Sequence, residues 1–277
     1  MRQNKYLQNV LIGATAVLFA GSKVSPSMAK SGPVLETAST IVTGHSTASA
    51  SSNTDAPAKT TEASPLEAKI QSALTAFKSL TSSLSSPKAL SDAFQSYFAY
   101  KAAHPEDVKK PYLYFVDYGL PSTEARGYVF DMNALSVVDG PFTVAHGRGS
   151  STSKYGLPTK FSNASRSAAT SLGLYVTKAI YAFTGHSAGH TYRSVGLRLD
   201  GVSTGFNTNA LARGVVAHGA PYVTPTKAGR SEGCPAMEPA RAQKLLPKLA
   251  EGSLVFLYAP NAQWEANDPW VAAGDAN

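Results

Sequence analysis

The sequence predicts a mainly β protein of the α+β class: an antiparallel sheet sandwich or open barrel preceded by a helical hairpin. Three observations carry this. From Tyr112 onward, short apolar runs of period two recur about seven times in roughly 150 residues, punctuated by Gly, Pro, Asn and Ser. Before them, two stretches place apolar residues at helical spacing. A single later helical stretch, about Pro239 to Leu249, separates the last two predicted strands.

Residues 1–29 read as a secretory signal. Arg2 and Lys5 give a positive start, Val10 to Ala20 a short apolar run, and Ser27-Met28-Ala29 a small-x-small cleavage site. The run is shorter than the ~20 apolar residues that span a bilayer. No cysteine follows it, which excludes a lipoprotein anchor. No later segment is apolar enough to span, so no integral membrane segment is expected once the signal is removed. Residues 30–63 are rich in Ser, Thr and Ala, and read as a flexible linker, because they bury too little apolar surface to offset ordering entropy.

Residues 64–110 form the predicted hairpin. Ser64 suits an N-cap, Pro65 the first helical position, and Glu67 completes a capping box. Leu66, Ile70, Ala73, Leu74, Phe77, Leu80 and Leu84 then form one stripe. Ser86-Pro87 opens the second helix, with Leu90, Phe94, Tyr97 and Phe98 on one face. The two stripes are expected to pack on the main domain, residues 111–262.

Predicted strands in that domain run Leu113 to Asp117, Gly127 to Asp131, Val137 to Val144, Gly173 to Lys178, Val195 to Leu199, Gly214 to His218 and Ser253 to Tyr258. Residues 263–277 read as a C-terminal tail. The net charge of +7 is spread along the chain, with no basic cluster interleaved with aromatics. That argues against nucleic acid and suits an anionic cell-envelope polymer.

Cys234 is the only cysteine, in Gly229-Arg230-Ser231-Glu232-Gly233-Cys234-Pro235. A single thiol cannot be an internal staple, and exported proteins usually pair their cysteines. The surrounding Gly and Pro indicate an accessible loop. His218 ends a predicted strand sixteen residues earlier. Cysteine and histidine together suit nucleophilic catalysis, either as thiolate and imidazolium or by proton transfer during attack. The amides of Gly233 and Cys234 could hold an oxyanion, with Ser231 and Gly219 as loop support. A thioester acyl-enzyme would follow.

Other candidates are weaker. Arg230 could bind a carboxylate through its guanidinium fork, or simply brace the loop. The polar Thr184 to Ser194 stretch could cover a substrate, which brings in His190, Tyr192 and, beyond it, Tyr222. His146 either faces the site or ends a strand. His186 and His190 have an i, i+4 spacing, but Ser-Ala-Gly between them argues against a helix and hence a metal pair. No metal site and no organic cofactor are expected.

Several segments together resemble the YkuD-like L,D-transpeptidases, most nearly the murein L,D-transpeptidase catalytic domain family, over about residues 90 to 260. They are Phe115-Val116-Asp117-Tyr118, Phe130-Asp131, Val144-Ala145-His146-Gly147, Ser171 to Val176, Leu197 to Gly201, Gly205-Phe206-Asn207, Ala217-His218-Gly219-Ala220 and Gly229 to Ala236. The resemblance implies a mostly β catalytic fold acting on peptidoglycan stem peptides, in the periplasm or cell envelope. It places the nucleophile on Cys234, the base on His218 and the Ser-x-Gly-Cys loop on Ser231 to Cys234. Glu232 and Pro235-Ala236 depart from the more familiar branch, which has histidine before Gly-Cys and arginine or asparagine after it. The expected reaction is transfer of an acyl group, released at an L-configured stem residue, to an amine of a neighbouring stem, that of diaminopimelate. Whether the donor bond follows the first or third stem residue stays open. Two alternatives remain: an L,D-carboxypeptidase or endopeptidase using water, and a catalytically silent wall-binding protein.

Overall fold

In the structure, a computed structural model, residues 64–81 and 83–274 are described. The predicted signal and linker, 1–29 and 30–63, lie outside the described residues.

Helix α1 (Pro65–Phe77) starts as its sequence dictates: the Ser64 hydroxyl accepts from the Glu67 amide at 3.2 Å and Pro65 fills the first turn. It ends at Phe77, short of the stripe's extension to Leu84, and Leu80 is exposed. The Ser/Thr-rich stretch beyond it favours side-chain bonds to backbone over helix, and the Thr81 hydroxyl donates to the Phe77 carbonyl at 3.2 Å. Helix α2 (Ala89–Ala103) begins just after Ser86-Pro87. Between them the Ser85 hydroxyl and amide both donate to the buried Asp117 carboxylate, at 2.6 and 2.7 Å.

The strands follow as β1 (Tyr112–Asp117), β2 (Gly127–Asp131), β3 (Ser136–Phe142), β4 (His146–Gly147), β5 (Gly173–Ser187) and β6 (His190–Gly201). Then come α3 (Ala210–Arg213), β7 (Val216–Gly219), β8 (Val223–Thr224), β9 (Lys227–Ala228), β10 (Arg230–Ser231) and β11 (Ala236–Met237). Helix α4 (Pro239–Leu249), β12 (Leu254–Tyr258) and α5 (Ala262–Glu265) follow, with a 3-10 turn at Ala272–Gly274 after them. Eight strands form one sheet in the order β11-β7-β6-β5-β12-β1-β2-β3, parallel at β11/β7 and β12/β1 and antiparallel elsewhere. Two two-stranded ladders, β10/β4 and β8/β9, stand beside it. The α+β class and the large sheet agree with the sequence.

The helices and the sheet share one core. Phe77 meets Phe94 and Phe130 with ring centroids 5.4 and 4.6 Å apart, and all three are solvent-inaccessible. Each buried phenylalanine contributes about 1.5–3 kcal/mol of transfer free energy. The predicted tail also packs. Trp264 is buried against Phe256 and Tyr258, and Trp270 packs edge-on against Tyr100 while donating to the Val202 carbonyl at 2.8 Å. Two large aromatics in a short stretch supply enough apolar area to hold it down.

The main departure is the hairpin of β5 and β6. Both strands run far past their predicted ends, and the stretch expected as a loop, Thr184 to Ser194, is the hairpin's end. Ala188 and Gly189 make its two-residue turn with φ of 50° and 80°, the positive pair of a type I′ hairpin. Polar composition suggested a loop. Alternation decides for strand: Ile180, Ala182 and Thr184 are exposed, while Tyr181, Phe183 and Gly185 are covered to differing degrees.

Candidate active site

Gly214 closes α3 in the left-handed conformation, φ 67°, and turns the chain into β7. His218 lies on β7 and is 3 % exposed. Strand β11 runs parallel to β7 with Ala236 opposite His218, and the His218 amide donates to the Pro235 carbonyl at 3.3 Å. This register brings the cysteine loop against the histidine strand: Cys234 stands two residues before His218's partner.

The loop is braced from within. The Ser231 hydroxyl donates to the Cys234 carbonyl at 2.6 Å and accepts from the Gly233 amide at 3.1 Å. Thr170 joins it to β4: its hydroxyl donates to the Gly233 carbonyl at 3.2 Å and accepts from the Gly147 amide at 3.0 Å. Gly233 has φ 129°, and a Cβ there would stand 2.9 Å from the Ala169 carbonyl oxygen, so only glycine fits. The expectation for Gly233 changes accordingly. Its amide is engaged by Ser231 and is not a free oxyanion donor. Ser231 is the loop's internal brace, and the Gly219 carbonyl serves the histidine.

Nδ1 of His218 lies 3.1 Å from the Gly219 carbonyl oxygen. A carbonyl only accepts, so Nδ1 carries the proton and Nε2 keeps its lone pair. The Phe183 ring stacks on the imidazole. Burial lowers the histidine's pKa to about 4, partly opposed by the Gly219 contact. Burial likewise raises the Cys234 thiol, opposed by the Val216 amide and the Arg213 guanidinium and reinforced by Glu232. Both groups therefore rest neutral near pH 7, which argues against a standing thiolate–imidazolium pair. The sulfur sits 3.9 Å from the Gly214 carbonyl.

Cys234 is partly exposed and opens on a cleft of about 590 Å³, lined also by Arg148, Arg166, Arg213 and Glu232. Arg213 is held by the Ala169 and Ser162 carbonyls at 2.6 and 2.8 Å and by the Ser171 and Ser167 hydroxyls. Arg148 pairs with Glu232 at 2.7 Å. Sequence reading missed all three arginines, and Phe183 and Val216 with them. A signal existed for Arg213, in the Arg-Gly step that leads into the histidine strand.

The remaining candidates separate. Arg230 does not line this cleft; its Nη1 donates to the Ser151 and Thr152 carbonyls at 2.8 and 3.2 Å, a loop-bracing role. Tyr192 and Tyr222 pack edge to face, centroids 6.5 Å apart. Burial raises both phenols, and each also senses Cys234 electrostatically. His190 is exposed next to the hairpin turn, opposite Ser187. His146 is fully buried and accepts from Arg126 at Nδ1, 3.0 Å; burial and the nearby Arg126 and Arg230 hold its pKa down near 3. Among the described residues, the one cluster with metal-ligand spacing is His104, Glu106 and Asp107, beyond the end of α2 and unconnected with Cys234.

Comparison with solved structures finds L,D-transpeptidases. One from Mycobacterium smegmatis is 15 % identical, covering 54 % of this chain and 59 % of that one, TM-score 0.33. One from Stackebrandtia nassauensis is 17 % identical over 62 % and 67 %, TM-score 0.33. L,D-transpeptidase 3 of Mycobacterium tuberculosis is 14 % identical over 53 % and 61 %, TM-score 0.31. The chain thus spans less than two thirds of the length of the first of these. No curated protein matches it. The family model for the L,D-transpeptidase catalytic domain matches residues 81–258, a stretch that holds α2, the whole sheet and the cysteine loop. With more than half of its length under that model, the chain belongs to the L,D-transpeptidase catalytic domain family.

Proposed function

We propose that this protein is a peptidoglycan L,D-transpeptidase that works through a thioester on Cys234. The observation that supports the reading is the β7/β11 register, which pairs the strand following the cysteine loop with the strand of a buried histidine whose Nδ1 is held by a backbone carbonyl. Cys234 attacks the carbonyl of an L-configured residue in the donor stem, and the His218 Nε2 takes the thiol proton as the C–S bond forms. The amine of the residue expelled leaves with that proton. A stem amine, that of diaminopimelate, then attacks the thioester; the C–N bond forms, the C–S bond breaks, and the thiol is restored.

Arg213 and the Val216 amide support negative charge on the sulfur during attack. The β5/β6 hairpin contributes Phe183 against the histidine, and Tyr192 packs across on Tyr222, so the arm takes the substrate-covering role expected of a loop. The substrate lies outside the cytoplasm, in keeping with the signal features of residues 1–29 and a periplasmic or cell-envelope location. Among the described residues no helix is long and apolar enough to cross a membrane.

Intact-mass spectrometry after incubation with a purified tetrapeptide stem tests the reading. The wild type should gain the mass of the acyl fragment on Cys234, and added acceptor stem should discharge it into a cross-linked dimer. Absence of the adduct, or an adduct that survives Cys234→Ser, would refute the mechanism. Discharge to water alone, at every acceptor concentration, would make the protein an L,D-carboxypeptidase or endopeptidase.

A further inference from the structure

The Arg148–Glu232 pair stands beside the nucleophile and is fixed to its loop. The Arg148 amide donates to the Ser231 carbonyl at 2.8 Å, and Ser231 in turn braces Cys234. Glu232 lies two positions before the thiol, and both side chains line its cleft. Their side chains are 61 % and 71 % exposed while Nε meets Oε1 at 2.7 Å. An exposed pair of this kind contributes little to stability. It can therefore be exchanged for a ligand's charges at little cost. The other two cleft arginines differ. Arg213 already holds four acceptors, and Arg166 sits on the exposed rim.

We infer that Arg148 and Glu232 form the acceptor site and recognise the α-amino-acid end of a side chain, a carbon that bears both an amine and a carboxylate. Arg148 exchanges Glu232 for the acceptor carboxylate, in a charge-assisted contact that its fork can make bidentate. The freed Glu232 carboxylate accepts a hydrogen bond from the neutral amine and aims its lone pair at the thioester carbon. The ammonium form loses one proton to solvent before attack. The second proton leaves as the C–N bond forms and ends on the Cys234 sulfur by way of His218. Glu232 orients the amine and takes no proton. The diaminopimelate side chain has this amine-and-carboxylate end; a lysine side chain has the amine alone. This rests on the thioester reading above.

Acceptor stems carrying diaminopimelate or lysine at the same position test it. The wild type should favour diaminopimelate in kcat/KM by about 10-fold or more, the scale of one charged hydrogen bond. Arg148→Ala should raise the diaminopimelate KM and bring the ratio near one; Arg148→Lys should restore part of it. Glu232→Gln should instead lower the transfer kcat for both acceptors and divert the thioester to water. Unchanged discrimination in Arg148→Ala, or an effect confined to acylation by the donor, would overturn the assignment. A binding measurement separates this from failure of the thioester reading. A tetrapeptide stem carrying diaminopimelate, titrated into Cys234→Ser protein, should shift the Arg148 Nε–H resonance, and the same stem with lysine at that position, its α-groups held in peptide bonds, should shift it less. Equal shifts, or none, overturn the site whatever the chemistry; a missing acyl-enzyme with the shifts intact overturns only the thioester.

Discussion

The Phe183 ring lies over the His218 imidazole, with centroids 4.3 Å apart and planes inclined by 27°. Phe183 comes from the hairpin strand β5 and His218 from β7, with β6 between them in the sheet. The contact makes the hairpin part of the histidine's environment. It removes water from one face of the ring, and burial is the leading cause of a pKa near 4. Phe183→Ala should therefore move the His218 titration up toward its ordinary 6.5, read from imidazole proton shifts. The acid limb of kcat/KM should move with it. An unmoved titration would mean that the hairpin does not control the base.

The neutral resting pair has its own signature. Alkylation of Cys234 by iodoacetamide should rise with pH into the alkaline range, about tenfold per unit below the thiol's pKa, with no low-pH plateau of thiolate. Such a plateau would instead indicate a standing ion pair. If His218 is the base of the proposed mechanism, His218→Ala should slow substrate acylation by about 10²-fold or more.

The same histidine couples stability to acidity. Its folded pKa is depressed to about 4 from 6.5, so between these values the unfolded chain binds more protons. Its contribution is full above pH 6.5 and is lost as pH falls toward 4, on the order of a few kcal/mol. Urea unfolding at pH 7 and pH 4.5 should show the wild type losing more stability than His218→Gln. Equal losses would contradict the buried neutral imidazole.

Arg126 is fully buried, donates to the Val144 and Leu120 carbonyls and to His146, and lies over the Tyr118 ring at 4.8 Å. Burial lowers its pKa to about 10, so it stays charged near neutrality. Arg126→Ala removes every donor at once and leaves buried acceptors unpaired, a loss of about 3–5 kcal/mol. β4 should loosen, and β10 with it, since the two are paired. Thermal unfolding and Cys234 accessibility should change together.

Arg230→Ala should leave the ratio of cross-linked to hydrolysed product unchanged, because its guanidinium holds the Ser151 and Thr152 carbonyls. A shift toward hydrolysis on product analysis would mean that Arg230 binds the acceptor carboxylate.

Phe77→Ala should destabilise the protein by about 3–5 kcal/mol, the usual range for a large cavity. Phe77 has no solvent exposure and touches Phe94 and Phe130, one on each side of the helix–sheet contact. A much smaller loss in urea unfolding would mean that the helices add little to the core.

Much of the site was legible in the chain. Cys234 stood out by being the only cysteine, His218 by ending a strand shortly before it, and Gly233 by the backbone freedom its turn demands. Those signals are local. The arginines of the cleft were not legible, because a guanidinium gives no periodic signal and its partner can lie anywhere. Arg148 meets Glu232 across 84 positions, and Arg213 meets Ala169 across 44. Arg230 misled for the same reason: nearness to the cysteine in sequence does not fix where a long side chain turns.

By itself the sequence determined the α+β class, the helix starts at Ser64 and Pro239, and most strand positions, and it singled out one thiol and one histidine as candidates. These depend on periodicity, caps and turn residues, which act over a few positions. Only the tertiary structure decided the length of the β5/β6 hairpin, the parallel register that brings Ala236 opposite His218, the protonation of the pair, and the choice of cleft cations. Register and pKa are set by which surfaces exclude water from each other, and that is fixed only when distant segments pack.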